Sequence, residues 1–146
     1  MAATLNGRGV YSEALAQAKE AVEMDGSDAW AYYQLASSQL GLHRTQEAIN
    51  AAGQAIRLSD GKYSSMHFAL GSAYFEAENF ILAKQSFEKA AELEAKDDSA
   101  AYNVGVCYVR LGYYRDAANW YEEALRRNPA RSDRADIQQR IQSLRR

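Results

Sequence analysis

A block of eleven residues recurs four times along this chain, and the repetition limits the folds available to it. The blocks begin at Tyr11, Thr45, Phe80 and Tyr114, and each has alanine at its fourth and eleventh positions. The fourth-position alanines, Ala14, Ala48, Ala83 and Ala117, are 34, 35 and 34 residues apart. A unit of this length buries its apolar face against neighbouring copies of itself, so the pattern predicts a linear array of repeats.

A second type of segment precedes three of these blocks. Segments 32–40, 67–75 and 101–109 each contain an aliphatic residue followed by a very small one: Leu35-Ala36, Leu70-Gly71 and Val104-Gly105. Both segment types place apolar residues three and four positions apart, which is the period of an α-helix. Glycine, aspartate and asparagine separate the segments. The sequence therefore predicts helix, short turn and helix in repetition, with the first turn at residues 6–9.

The order of these residues resembles the tetratricopeptide repeat. Residues 64–97 carry its pattern in Leu70, Gly71, Tyr74, Ala83, Phe87 and Ala90, and residues 98–131 carry it in Val104, Gly105, Tyr108, Ala117, Tyr121, Ala124 and Pro129. Residues 29–63 match less closely, because Gln39 and Ala52 stand where aromatic residues are usual. The resemblance implies an all-α fold: a right-handed superhelical array of antiparallel helix pairs with a C-terminal capping helix. We expect Gly71 to face Ala83, and Gly105 to face Ala117, where the helices approach closely.

We expect one structural domain with two unlike ends. Its parts are a truncated first repeat at 1–28 (mainly its second helix), repeats at 29–63, 64–97 and 98–131, and a capping helix at 132–146 whose inner side carries Ala135, Ile137, Ile141 and Leu144. Terminal repeats of an array need a polar outer face. At the other end Leu15, Ala18 and Val22 lack a preceding helix, so we expect an uncovered apolar edge there. That edge predicts either dimerisation or disorder of residues 1–10.

The sequence contains no recognisable catalytic motif, and we expect no enzyme activity, no cofactor and no metal site. The two histidines, His43 and His67, have no cysteine or histidine neighbour at the spacing of metal ligands. Cys107 lies among Val104, Val106 and Tyr108, an environment typical of a buried structural thiol.

Charge is unevenly distributed, with a net charge of −7 in residues 1–125 and +5 in residues 126–146. The basic end lacks aromatic residues for stacking on bases, so we interpret it as a solvated cap and expect no nucleic-acid binding. No apolar run is long enough to span a membrane, and no secretory signal is recognisable. We expect no membrane association and take the cytoplasm as the default compartment.

The resemblance also implies a concave groove lined by the first helix of each pair. Carried onto this sequence, the groove residues are Trp30, Tyr33, Ser37, Phe68, Ser72, Phe75, Tyr102, Asn103, Val106 and Arg110. Family members that hold acidic chaperone tails use basic residues and asparagines there, whereas the matching places here are Tyr33, Ser37, Ala69, Ser99 and Asn103. We therefore expect a protein or peptide partner that offers an apolar or aromatic segment. At most one acidic residue of that segment would be anchored, by Arg110.

Three interpretations of function follow. The first is an interaction scaffold that binds a peptide or helical segment in this groove; helix 99–111, which is apolar nearly all round, supports it. The alternative for that helix is that its second apolar stripe packs within the superhelix. The second interpretation is a structural protein that self-assembles through the edges of the array. The third is a non-catalytic part of a larger enzyme or regulator.

Overall fold

The structure is a computed structural model that describes the backbone of residues 2–146 and the side chains of residues 7–146. Within this part of the chain there are eight α-helices and no β-strand. The helices are α1 (Ala2–Met24), α2 (Ala29–Gly41), α3 (Thr45–Leu58), α4 (Ser64–Glu76), α5 (Phe80–Leu93), α6 (Asp98–Leu111), α7 (Tyr114–Arg127) and α8 (Arg134–Leu144). The all-α repeat array expected from the sequence is confirmed.

Consecutive helices pack in pairs, α2 on α3, α4 on α5 and α6 on α7, and each pair packs on the next. The repeated alanines are the reason for this close pairing. Ala48, Ala83 and Ala117 are fully buried, and such small side chains let two helix backbones approach. Helix α2 also contacts α4, so the first helices of these two pairs lie side by side on one face of the array.

Two glycines make room for aromatic rings in the core. A Cβ atom on Gly71 would lie 2.9 Å from the ring of Phe87, and one on Gly105 would lie 2.8 Å from the ring of Tyr121. The Gly105 Cβ would also lie 3.3 Å from the carbonyl oxygen of Ala117, as expected. At Gly71 the nearest atoms belong to the Phe87 ring rather than to Ala83. The glycines thus serve ring packing as well as helix approach.

The prediction of a turn at residues 6–9 is wrong, because α1 continues through them as a single helix. Glycine inside a helix costs only about 1 kcal/mol, and no proline interrupts this segment. The predicted uncovered edge is also wrong at two of its positions: Leu15 and Ala18 are buried where α1 packs on α2, and Val22 is half-buried. The expectation of disorder at residues 1–10 falls in part on Met1 and on the side chains of residues 1–6, which lie outside the described residues.

Helix α8 closes the array at its C-terminal end. Its Ile137 and Ile141 are buried against Ala118 and Tyr121 of α7, and Leu144 packs at the margin of the same cluster. Ala135 is exposed, so its expected place on the inner side is wrong. Because α8 presents its apolar side to α7 and its polar side to solvent, it acts as the cap that the array requires.

Candidate peptide-binding groove

A cavity of about 420 Å³ lies between α2 and α4, and we call it the α2–α4 groove. Its lining comprises Tyr11, Tyr33, Ser37, Leu40, Gly41, His43, Ser65, Phe68, Ala69, Ser72 and Glu76. Four of the ten site residues predicted from sequence, Tyr33, Ser37, Phe68 and Ser72, meet in this groove. The serines explain why the space is open, since their side chains are too small to fill the gap that the flanking rings leave.

The aromatic rings of the groove are held in fixed orientations by other rings. Tyr33 lies edge-to-face with Trp30, with 5.6 Å between ring centroids, and Trp30 packs on Tyr63 at 4.7 Å. Trp30 is 43% exposed and lies beside the groove rather than in its lining. Phe68 lies edge-to-face with Phe87 at 5.2 Å, which anchors its inner edge in the core. The Phe68 ring thus lines the groove and also packs in the core.

Sequence reasoning missed the contribution of α1 to the groove. The ring of Tyr11 lies directly on Gly41, where any Cβ atom would overlap it. Tyr11 therefore closes one end of the groove, and Gly41 is required for this contact. The recurrence of an aromatic residue at the start of three of the eleven-residue blocks was visible in the sequence, but the partner glycine was not.

A second missed feature is a polar contact at the rim of the groove. Nδ1 of His43 lies 2.6 Å from Oε1 of Glu76, which links the turn after α2 to the end of α4. His43 adopts a left-handed backbone conformation, with φ at 60°, in the tight turn that leads into α3. These two residues are the histidine and the carboxylate of the groove lining.

Phe75 and Arg110 form a stack outside the α2–α4 groove. The guanidinium of Arg110 lies 5.4 Å from the ring centroids of both Phe75 and Phe80, and the two rings are edge-to-face at 5.1 Å. Cation–π contacts of this kind attract the guanidinium to the ring faces. Arg110, the basic residue expected to hold an acidic anchor of the ligand, is therefore already engaged with two rings.

The remaining predicted residues lie on α6. Tyr102 and Val106 pack against the cluster that α7 and α8 form, so the second apolar stripe of α6 is partly covered within the array. Asn103 is half-buried on the same helix. Arg131 was not predicted here, yet its guanidinium lies 4.7 Å from the Tyr102 ring centroid. The structure thus divides the predicted groove into an open part at α2 and α4 and a packed part at α6.

Arg131 is fixed by two carboxylates. Its Nη1 donates a hydrogen bond of 2.7 Å to Asp98, and its Nε and Nη2 donate to the two carboxylate oxygens of Asp133 at 2.9 and 3.0 Å. The hydrogen bonds from Arg131 hold the pKa of Asp133 below its usual value. Asp98 is available for this contact because Asp97, one residue earlier, caps α6 by accepting from the Ala100 backbone N–H.

The potentially reactive side chains of the described residues are engaged structurally. Cys107 is fully buried, and burial raises the pKa of its thiol to about 12, so the thiolate needed for nucleophilic chemistry is not formed at neutral pH. Nε2 of His67 lies 2.9 Å from the carbonyl oxygen of Gly61. Among residues 7–146, no three carboxylate, histidine or cysteine side chains are grouped closely enough to bind a metal ion. No helix in the described part of the chain has the length and apolarity needed to cross a bilayer.

Known proteins share the repeats of this chain. Sequence profiles described as tetratricopeptide repeat match residues 64–97 and 99–131. Tetratricopeptide repeat protein 37 of Xenopus laevis is 28% identical over 100 residues, which is 68% of this chain and 6% of that protein. The chain therefore spans a small fraction of the length of this relative.

Solved structures show the same fold. The crystal structure of MamA protein superposes with a TM-score of 0.77 and 26% sequence identity, covering 88% of this chain and 68% of that one. The second tetratricopeptide repeat domain of human RPAP3, in complex with the HSP70 peptide SGPTIEEVD, superposes with a TM-score of 0.71 and 16% identity, covering 81% of this chain and 95% of that one. Repeat profiles, sequence relative and shared fold agree that this chain contains tetratricopeptide repeats.

Proposed function

We propose that this chain is a protein-interaction scaffold that binds a peptide or helical segment of a partner in the α2–α4 groove. The observation that carries the proposal is the combination of half-buried rings and serines in one open cavity. Rings supply contact area at low conformational cost, and serines leave space for the backbone of a ligand. Ligand sites in proteins have this character: mostly apolar walls with a few polar groups.

The groove lining favours an apolar or aromatic segment. Apart from Glu76, whose carboxylate contacts His43 at the rim, the lining carries no carboxylate, lysine or arginine side chain. A ligand that fills this groove therefore gains affinity from buried apolar area and little from ion pairs. We expect binding that changes only slightly between low and physiological salt, because screening acts on charge pairs.

The relative with a bound peptide supports the class of partner. The human RPAP3 domain shares this fold and is in complex with a peptide. At 16% identity the likeness extends to the fold alone, so the chemistry of the ligand is inferred from this chain's own groove. No basic side chain other than the rim histidine lies in the α2–α4 lining, which favours an apolar ligand over an acidic tail.

Selection from a displayed library of random short peptides tests the proposal. The selected peptides are expected to share an aromatic or large aliphatic residue. Ser72→Trp fills the groove and is expected to abolish their binding, and Tyr33→Ala is expected to weaken it by about 1–3 kcal/mol, as for other aromatic hot spots. Gln85→Trp is the matched control, because Gln85 is exposed on α5.

Circular dichroism on each variant separates loss of binding from loss of fold. The proposal is contradicted if no peptide family emerges, or if the selected peptides bind the folded Ser72→Trp variant as well as they bind the original chain.

A second candidate function is self-association through α1, favoured by exposed apolar side chains on that helix. Val10 is 63% and Met24 is 82% exposed, and they lie about four helical turns apart, on the same side. Exposed apolar side chains on one side of a helix favour contact with a second copy. Light scattering should show a mass that rises with concentration and returns to the monomer in Val10→Lys; a monomer at every concentration contradicts this candidate.

A further inference from the structure

Helix α8 occupies the place of the next first helix in the array. Asp136, Arg140 and Ser143 follow Tyr102, Val106 and Val109 of α6 at the repeat interval of 34 residues. They therefore occupy, on α8, the register positions that face the groove on α6. The structure agrees with this register: a cavity of about 490 Å³, here called the α6–α8 cavity, is lined by Val109, Tyr121, Asp136, Gln139, Arg140, Ser143 and Leu144.

Arg140 differs from three nearby arginines that pair with carboxylates. Arg127, Arg131 and Arg145 each pair with a carboxylate, of Glu123, Asp98 and Glu122 respectively. Arg140 is exposed, and no carboxylate of the described residues lies within 4.0 Å of it. An arginine that faces a cavity without a carboxylate partner is able to bind an anionic group of a ligand with two hydrogen bonds.

The groups near Arg140 are the hydroxyl of Tyr121 and the carboxylates of Asp133 and Asp136, and Asp133 already accepts hydrogen bonds from Arg131. Tyr121 is 2% exposed, and burial raises the pKa of its hydroxyl, which stays neutral beside the guanidinium. Asp136 lines the same cavity one helical turn before Arg140 on α8, so a ligand carboxylate is repelled there and attracted at Arg140. Val109 and Leu144 supply the apolar surface next to the charge.

The geometry points to a second subsite, in which Arg140 binds one acidic side chain of the partner segment while Val109 and Leu144 contact an apolar neighbour. This inference rests on the proposed function, since it places the same ligand along the face from α2 to α8. Neighbouring helix axes are about 9 Å apart, so two helix intervals separate the groove from the α6–α8 cavity by about 18 Å. An extended chain covers that distance in about six residues.

Arg140 takes the role first expected of Arg110, that of the basic side chain that holds an acidic residue of the ligand. Arg110 is stacked on Phe75 and Phe80, whereas Arg140 faces an open cavity. The partner segment then has an aromatic or aliphatic residue for the α2–α4 groove and a single Asp or Glu about six residues away. Two adjacent acidic residues are disfavoured, because the second would approach Asp136.

Parallel selection of displayed random peptides on four forms of the full chain tests the inference. The forms are the original chain, Arg140→Ala, Arg140→Glu and Arg115→Glu, the last being a matched control because Arg115 is exposed on α7 outside the cavity. The original chain and the control are expected to enrich an aromatic residue and a distant acidic one. Arg140→Glu is expected to keep the aromatic preference and to exchange the acidic residue for Lys or Arg.

Affinities of a selected peptide and its Glu→Gln analogue give the size of the effect. The analogue is expected to bind the original chain about fivefold more weakly, and Arg140→Ala is expected to bind both equally. An aromatic preference without an acidic one, or an acidic preference that persists in Arg140→Glu, overturns the inference and leaves the groove intact. Pools with no common feature on any form instead contradict the proposed function itself.

Discussion

The helix pairs α2–α3 and α6–α7 occupy equivalent places in the array but fill their cores with different side chains. In α6–α7 the ring of Tyr121 is buried beneath Gly105. The equivalent positions of α2–α3 hold Ala52 and Ala36, both fully buried or nearly so, in a core of small residues. The large ring adds apolar area that the alanine core lacks, so we expect α6–α7 to be the more stable pair.

The two helix pairs also differ in how well their polar side chains are hydrogen-bonded. Gln39 of α2 is 5% exposed, and its Oε1 has no hydrogen-bond partner among the described residues. The equivalent residue of α6 is Tyr108, whose hydroxyl donates to Glu88 at 3.2 Å while Lys84 lies over its ring. A buried acceptor without a partner costs free energy, whereas Tyr108 combines an apolar body with a satisfied hydroxyl.

Arg127 also links the α6–α7 pair to α5 and to the turn that follows it. Nη1 of Arg127 donates to the backbone carbonyls of Ala91, Glu94 and Asp97 at 3.0 to 3.1 Å, which fixes the turn between α5 and α6. Between α3 and α4 the corresponding link is a single contact, from Nε2 of His67 to the carbonyl oxygen of Gly61 at 2.9 Å, and the His43–Glu76 pair at the rim is exposed. One repeat pattern thus supports both an anchored end, at α6–α7, and an open end, where α2 and α4 border the groove.

The largest effect is expected from removing the ring that distinguishes α6–α7. Tyr121→Ala should lower the free energy of unfolding by about 3–5 kcal/mol, because it leaves a cavity beneath Gly105. Adding a ring at the equivalent place, Ala52→Tyr, should also destabilise, by about 1–3 kcal/mol, since Ala36 leaves no space for it. Urea unfolding measures both. A small loss in Tyr121→Ala would mean that the two cores do not differ in the way described.

The next largest effect is expected at Arg131. Arg131→Gln removes charged hydrogen bonds to Asp98 and Asp133 and should cost about 2 kcal/mol near neutral pH. Because Arg131 holds the pKa of Asp133 below 3.8, this stabilisation is present above pH 3.8 and is lost as the pH falls through the lowered pKa. Urea unfolding at several pH values should show the difference between the two proteins shrinking in acid. A difference that is constant with pH would contradict the ion-pair account.

A smaller effect of opposite sign is expected at Gln39. Gln39→Leu removes the unpartnered buried acceptor at similar volume and should raise the free energy of unfolding by about 1 kcal/mol. The contact from Gln39 to Glu47 is long, at 3.5 Å, and its loss should matter little. Thermal unfolding of the two proteins checks this. Destabilisation by Gln39→Leu would show that the amide is better satisfied than the structure indicates.

The smallest effect is expected at the rim pair. Glu76→Gln should change the free energy of unfolding by less than about 0.5 kcal/mol, because the His43 side chain is 82% exposed and exposed ion pairs contribute little. The same urea experiment provides the value. An effect as large as that of Arg131→Gln would remove the contrast between the open and anchored ends.

The repeat period made the fold predictable, whereas the packing of individual side chains could not be predicted from it. Alanine spacing located the paired helices, because only small residues permit close helix approach. The glycines of residues 6–9 predicted a turn that α1 does not have, since glycine weakens a helix without ending it. Sequence patterns report local preference, whereas the packing of α1 on α2 is a tertiary effect.

The candidate site was predictable in part for a related reason. Repeat register placed Tyr33, Ser37, Phe68 and Ser72 on one face, and the structure gathers them in one groove. The alternative that the second apolar stripe of α6 packs within the array holds in part, because Tyr102 and Val106 pack against the cluster of α7 and α8. Tyr11 was missed because its place depends on contact with Gly41, which lies thirty residues further along the chain.

Nuclear magnetic resonance of the isotope-labelled chain, titrated with a selected peptide, tests the central claim most directly. Binding in the α2–α4 groove predicts that the largest amide shift changes fall on α2 and α4, at residues such as Tyr33, Ser37 and Ser72, with small changes on α3 and α5. The largest changes on α3, α5 or the outer side of α7, with α2 and α4 unaffected, would contradict the account.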